Sequence, residues 1–457
     1  MKKISLIALA AAGALAGGIT TANAADLGVG GNCCADLEER IAELEATAVR
    51  KGNRKVSLTI TGWVSQQVSF WDDGVEKNAY VSDLGSTLNS NFKLTGSAKI
   101  NNDWSAGYLM QVEVVGNENL SLNQNASAVG KGLAVIQSFW FLKSESLGKL
   151  SVGTQSSAVD NAALLPDGSG SLIFANYIMY DINAFATRLS SSPTKARTGF
   201  NWGSLATCQS FGDAAAVGGG LGLGADCDGV PNNNVRYDTP TLAGFSGSFS
   251  WGEDDIWGLS GRYAAEFNSI KLSAAVGYYD TTNDQGDLLV RARGGKKASA
   301  LQIGAYVQHV PTGLFLYGVY AKDYNDVTGG LNGASEQQKD ADNWYLKAGI
   351  RQKWNALGHS VFYGEYGQNN DKQSNALWRQ GVASSNLEQW GLGFVQEIDA
   401  AAMSIFANYR HYNADVTCGA AATVAVAGVC GPVGAGIPGK ISLEDAQLFK
   451  IGAIINF

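Results

Sequence analysis

Three histidines, six cysteines and an evenly spaced set of charges are the residues of this 457-residue chain whose types could carry chemistry. Hydrolysis by a serine or aspartate needs a histidine within hydrogen-bond reach. His309 and His411 fall in register with apolar residues and His359 adjoins a turn, so none is positioned for that work. No histidine stands at ligand spacing from a cysteine pair, which argues against zinc, and no cofactor is expected. The cysteines read as disulfides instead. Cys208 and Cys227 bracket one Gly/Ala-rich stretch and Cys418 and Cys430 another, so each pair is expected to staple its own loop. Cys33 and Cys34 are adjacent, and their partner is open between each other, a second subunit and none.

Disulfides need an oxidising compartment, and the N-terminus gives the reason to expect one. Lys2 and Lys3 precede the apolar run ISLIALAAAGALAGGI, and Ala22-Asn23-Ala24 form a small-residue cleavage site. Residues 1–24 read as a signal peptide, with a single uncleaved anchor as the alternative, and the mature chain starts at Ala25-Asp26. The formal charge of −8 becomes more negative when the two lysines leave, which argues against nucleic acid. With 57 Gly, 7 Pro, 10% aromatic and only 16% charged residues, the composition suits many strands joined by turns and not disorder. The stretch from Gly419 to Ile437 is only weakly apolar and holds Gly, Pro and Cys430, so it reads as a stapled loop rather than a span.

The elements that position the charges show themselves by period. Leu37, Ile41, Leu44 and Ala48 follow a capping Asp36, so residues 25–54 are a leader with one short helix. That helix reads either as part of a small coiled coil or as an amphipathic piece on the mouth of the following domain. From Lys55 the period is two. Val56, Leu58, Ile60, Val64, Val68 and Phe70 form an apolar row, and Ser57, Thr59, Thr61, Ser65, Gln67 and Ser69 a polar one. The pattern recurs in rows such as Trp257, Leu259, Tyr263 and Phe267, or Trp344, Leu346, Ala348 and Ile350. The opposite rows carry Arg262, Glu266, Lys271, Lys347, Arg351, Lys353 and Glu397. A β-sandwich also alternates, but three features favour a transmembrane β-barrel. Apolar rows often end in an aromatic ring; tight turns alternate with long polar loops; and about sixteen strands, an even number, can be counted. The last segment, FKIGAIINF, keeps Phe449, Ile451, Ile455 and Phe457 on one apolar face up to its final residue. Such a strand must close against the first, so that no edge is left in lipid.

The chain resembles the general outer-membrane porins, specifically their alphaproteobacterial branch. The residues that carry this are FKIGAIINF, the hairpin from Asn234 to Gly252, LGKLSVGTQ (Leu147 to Gln155) and the leader from Asp36 to Gly74. The resemblance implies a homotrimeric all-β barrel in the outer membrane, over residues 55–457, passing small hydrophilic solutes and ions by diffusion. Its partners would be outer-membrane lipid, lipopolysaccharide and the barrel-assembly machinery. It further implies that the long loop at about 156–232 folds inward and sets acidic groups against a basic wall. The acidic candidates are Asp160, Asp167 and Asp181; the wall candidates by parity are Arg236, Arg262, Lys271, Lys347, Arg351 and Arg410. Opposed rows of this kind make a transverse field that penalises apolar solutes. Arg188 and Arg197 are expected to pair with the loop's own aspartates. Arg291 to Lys297 reads as an external basic tip, and Trp71 to Gly74 and Gly252 to Asp255 as hydrated turns. Some alphaproteobacterial barrels are joined to peptidoglycan through an N-terminal Ala-Asp, and Ala25-Asp26 fits that start. A substrate-specific channel and a mainly structural tether are the alternative functions.

Overall fold

The computed structural model describes residues 56–128, 130–208, 224, 226–229, 231–252, 256–281, 298–325, 338–374, 377–378, 381–419, 430 and 439–457. The signal peptide, Ala25, Asp26, the leader helix, Cys33, Cys34, residues 253–255 and the basic tract 291–297 lie outside them.

The described chain forms a closed antiparallel barrel of sixteen strands. In order these are β1 (Thr59–Asp72), β2 (two segments, Lys77–Ser82 and Asn91–Lys99), β3 (Trp104–Val115) and β4 (Gly132–Ser144). They continue as β5 (Gly148–Gln155), β6 (Asn232–Asp238), β7 (Phe245–Gly252) and β8 (Trp257–Phe267). Then come β9 (Ile270–Thr281), β10 (Ala298–His309), β11 (Leu314–Asn325) and β12 (Ala341–Gln352). The last four are β13 (Ser360–Asn370), β14 (Val382–Ile398), β15 (Met403–Cys418) and β16 (Gly439–Ser442 with Ala446–Asn456). Each strand pairs with its sequence neighbours, and β16 returns to β1 from Trp63↔Asn456 to Asp72↔Gln447. Phe457 completes the seam: its N–H donates to Gly62 O and Gly62 N–H to Phe457 O, both at 3.0 Å. Closure leaves every strand paired on both sides, as hydrocarbon demands.

The apolar rows face outward. Leu58, Ile60, Val64 and Phe70 are exposed while Ser65, Gln67 and Ser69 are buried. Phe449, Ile451, Ile455 and Phe457 are likewise exposed, and Leu448, Lys450 and Ile454 point in. Aromatic pairs mark two levels on the outside. Trp257–Tyr278, Trp344–Tyr366 and Trp390–Tyr409 lie toward the long-loop end, Phe245–Tyr263 and Trp354–Phe362 toward the short-turn end. Trp344 and Trp354 stand at opposite ends of β12. Their separation along a tilted strand projects to roughly the 25 Å height of a lipid-facing band.

Two departures from simple alternation matter for the interior. Residues 83–90 leave β2 between its two segments, and Leu84 and Leu88 turn inward to pack on the long loop. The inner rows of β10–β16 are not uniformly polar: Tyr306, Tyr317, Tyr345, Val361, Tyr363, Val395 and Phe406 are buried there. Both faces of these strands are therefore apolar in part, one for lipid and one for the loop.

Candidate functional site

The segment after β5 runs inside the barrel and is seated on the inner wall by three kinds of contact. Its first turns lie flush on β7–β11. Ala158 N–H donates to Ser250 Oγ at 2.9 Å, Gln302 Nε2 to Val159 O at 3.0 Å and Tyr317 Oη to Ala163 O at 2.7 Å. Gly304 permits this approach, because a Cβ there would overlap the Ala163 carbonyl. Apolar packing follows. Phe174 stacks on Phe406 with ring centroids 4.3 Å apart, and Tyr177 meets Tyr345 edge-on at 6.3 Å. Farther along, Phe185 sits edge-on to Trp71 at 5.0 Å, and Trp202 packs beside Tyr412 at 6.2 Å.

The third contact is ionic. Lys347 on β12 donates to Asp167 Oδ2 at 2.6 Å and to Ala175 O at 2.7 Å, with both side chains fully buried. Its ammonium lies 5.6 Å from the ring centres of both Tyr317 and Tyr363. Asp181 receives Lys450 of β16 at 2.7 and 2.9 Å, Arg410 of β15 at 3.4 Å and Asn119 at 3.1 Å. Arg410 also makes a two-pronged pair with Glu365 of β13, at 2.7 and 2.9 Å, and donates to Asn176 O at 2.8 Å. Burial acts to raise the Asp181 pKa, but Lys450 and Arg410 outweigh it and hold the carboxyl below its usual range.

These features specify a barrel with a loop folded into its lumen, and residues 6–417 match the Gram-negative porin family. The chain belongs to that family. An anion-selective porin from Comamonas acidovorans shares the fold at a TM-score of 0.52 and 15% identity, with 88% of this chain and 100% of that one covered. OmpF of Salmonella typhi in complex with daunomycin aligns at 0.49, with 15% identity over 88% of this chain and 98% of that one. A trimer form of OmpT, an outer membrane protein of Vibrio cholerae, aligns at 0.46, with 14% identity over 88% and 99%. No curated protein sequence matches the chain. The protein is an outer-membrane porin, and the barrel is its channel.

The porin's expected charges are all found on the inner side, but in a different relation. Asp167 and Asp181 touch the wall cations Lys347 and Arg410 at bonding distance and out of water, where the resemblance implied rows opposed across an open lumen. Asp160 is buried near Arg236 and Arg262. Arg236 pairs with Asp238 at 2.8 Å and donates to Ser157 O at 2.8 Å. Arg262 donates to Ser248 Oγ at 3.0 Å and Ala158 O at 3.4 Å. Arg351 forms a two-pronged pair with Glu397 at 2.9 and 3.0 Å. Lys271 on β9 is half-buried and joins none of these pairs.

Arg188 and Arg197 do not bind the loop's own aspartates. Arg188 meets Asp73 at 2.8 Å and Glu76 at 3.0 Å, and Arg197 bonds Glu76 and Asn125. The β1–β2 turn is thus a docking point for the loop, and Asp73 is buried rather than hydrated. The disulfides Cys208–Cys227 and Cys418–Cys430 are both present. The first lies against a buried pair, Lys372 and Asp323 at 2.8 Å, with the Lys372 ammonium 3.7 Å from each sulfur.

Sequence reading missed Lys450, Glu365, Asp226 and Asp228. Lys450 had a signal, since it alternates with the apolar Phe449 and Ile451; Glu365 alternates likewise with Phe362 and Tyr366 only by way of Gly364. Asp226 and Asp228 had none, because an irregular loop carries no period. Burial pushes Asp228 up to about 7 and Asp160 to about 6, and burial with two acidic neighbours raises Asp226 well above its usual range.

Proposed function

We propose that this porin is a general-diffusion channel for small hydrophilic solutes and ions, working as a homotrimer, with the folded-in loop as its constriction. The observation that carries the reading is the buried clamp of Asp167 on Lys347 and of Asp181 on Lys450 and Arg410. A loop held by contacts of that kind keeps a fixed shape, and a fixed narrowing sorts solutes by size and charge without binding any one of them. In this reading Asp167, Asp181, Lys347 and Arg410 hold the constriction. Asp160, Arg236 and Arg262 flank it, and Lys271 and Arg351 lie toward the short-turn mouth. A channel rather than an enzyme is favoured by the histidines: His309 and His411 belong to outward rows, and His359 sits at a turn beside Glu397.

The proposal includes export by residues 1–24, a periplasmic leader over 25–54, membership of the alphaproteobacterial branch and a covalent link of Ala25-Asp26 to peptidoglycan. Lipopolysaccharide around the barrel and insertion by the barrel-assembly machinery through the strand ending in Phe457 belong to it as well. Single-channel recording of the purified protein in a planar bilayer tests it. Ohmic conductance rising with salt, closing in three equal steps, is expected. A small conductance blocked by one solute at low concentration would replace diffusion by a specific channel. Absence of conductance from correctly folded protein would leave the structural tether.

A further inference from the structure

Ion pairs absorb the charge of the loop-bearing wall. Lys347 with Asp167, Lys450 and Arg410 with Asp181 and Glu365, Lys372 with Asp323 and Arg351 with Glu397 are each neutral sets at contact distance. Their fields fall off as those of dipoles, and an ion crossing the lumen feels little of them. The rest of the wall is different. Lys93 on β2, Arg262 on β8 and Lys271 on β9 point inward, are half-buried, and have no carboxylate at salt-bridge distance among the described residues. Lys93 stands 5.2 Å over the ring of Trp63, and Arg262 donates only to neutral oxygens. Arg236 and Lys149 share the single carboxylate of Asp238, at 2.8 and 3.2 Å, which leaves another positive charge in surplus.

Among the described residues the acids available to oppose them are few. Glu266 is the cross-strand partner of Lys271 and is exposed at the short-turn end. Glu113 is buried and takes the Asn89 N–H at 3.1 Å. Asp160, Asp226 and Asp228 lie buried in the loop, and burial favours their neutral forms. The open wall is therefore a basic surface inside an acidic protein.

We propose that this porin conducts anions in preference to cations, and that Lys93, Arg262 and Lys271 set the preference. The inference rests on the barrel being the open conducting channel argued above. Half-buried cations backed by protein and lipid focus their field into the lumen, and low local dielectric strengthens it. A mean potential of about one kT there concentrates a monovalent anion over a monovalent cation roughly sevenfold. The formal charge of −8 does not decide the sign, because the charges that an ion meets in the lumen do.

The test is the reversal potential of the full-length porin in a neutral planar bilayer, under a low-salt KCl gradient at about pH 5, where Asp160, Asp226 and Asp228 hold their protons. A chloride-to-potassium permeability ratio of about three to ten is expected. The combined variant Lys93→Gln, Arg262→Gln, Lys271→Gln should bring it close to one while still conducting. Lys93→Arg with Lys271→Arg should retain it, and Lys143→Gln, at an exposed turn pair, should leave it unchanged. A conducting wild type with the reversal potential of a cation-preferring pore overturns the proposal, as does an anion preference that survives in the triple-glutamine variant. Folded protein that never conducts overturns the channel reading itself, and the preference falls with it.

Discussion

The two sides of the lumen use the same residue types for opposite purposes. On β10–β16, lysine and arginine meet carboxylates in dry contact, tyrosines and Phe406 pack the loop, and the charges cancel where they stand. On β2 and the short-turn halves of β8 and β9, Lys93, Arg262 and Lys271 face the lumen without a contacting acid. What separates the two is the loop. Where it packs deepest, a charge must be paired to tolerate burial; at its margin Arg262 meets only Ser248 Oγ and the loop's Ala158 carbonyl, Lys93 and Lys271 stay part-exposed, and these charges remain available to act on ions. Parity in the sequence gives the same answer, inward, for both groups.

The sharpest way to break the comparison is to remove the acid at the centre of the clamp. Asp181→Ala leaves Lys450 without its partner and takes one of two acids from Arg410. Breaking a buried pair on one side costs about 3–5 kcal/mol. The barrel's backbone pairing does not depend on it, so the loss should fall on loop seating. Amides of residues 158–185 should exchange faster, and single-channel conductance should rise and become noisy. Unchanged exchange and conductance would mean that apolar packing alone holds the loop.

Cys208–Cys227 is the covalent counterpart of the clamp. It closes a sequence separation of 19 residues, for which chain entropy predicts about 3 kcal/mol. Replacing both cysteines by serine should loosen the same segment by less than Asp181→Ala does, since the native contacts survive. Replacing Cys418 and Cys430, in the β15–β16 connection, should leave conductance unchanged. Limited proteolysis of the folded barrel compares the two.

The barrel and its closing strand were legible because period two with one apolar face is a demand of lipid, and each residue from Phe449 to Phe457 obeys it. The inward lysines and arginines followed from the same rule. The clamp did not follow, because a loop without a period hides which acid meets which cation. Asp167, Asp181 and Lys347 were expected as charges facing each other across water, whereas Asp167 meets Lys347, and Asp181 meets Lys450 and Arg410, in buried contact. The seat of the loop was also hidden. Tyr317, Tyr345 and Phe406 fall on inner rows where alternation leads one to expect polar groups, and nothing local says that a distant segment covers them.

Acidity separates the two sides in another way. Asp160 and Asp228, with pKa values of about 6 and 7, bind protons more tightly in the folded loop than the ordinary value near 3.8 in an unfolded one. Their contribution to loop seating is fully present below that ordinary value and is lost as pH rises through about 7. Asp181 has the opposite sign: its pKa is lowered, so its contribution is present above the ordinary value and lost on strong acidification. Loop protection should therefore be greatest in mildly acidic buffer and fall on going to alkaline pH. Asp228→Asn should flatten the upper part of that profile. A profile that does not respond to the substitution would assign the titration elsewhere.

Least in stability, and most informative for the open side, is Lys271→Gln. A half-buried side chain with no contacting acid has little to lose, and such substitutions usually change stability by less than about 0.5 kcal/mol. Its cross-strand neighbour Glu266 is exposed, so water repays the lost interaction. Denaturation of the variant should superimpose on that of the parent, while its anion preference falls. A matched loss of stability would place Lys271 with the clamp residues, and the division of the wall into a holding side and a conducting side would then have to be drawn beyond β9.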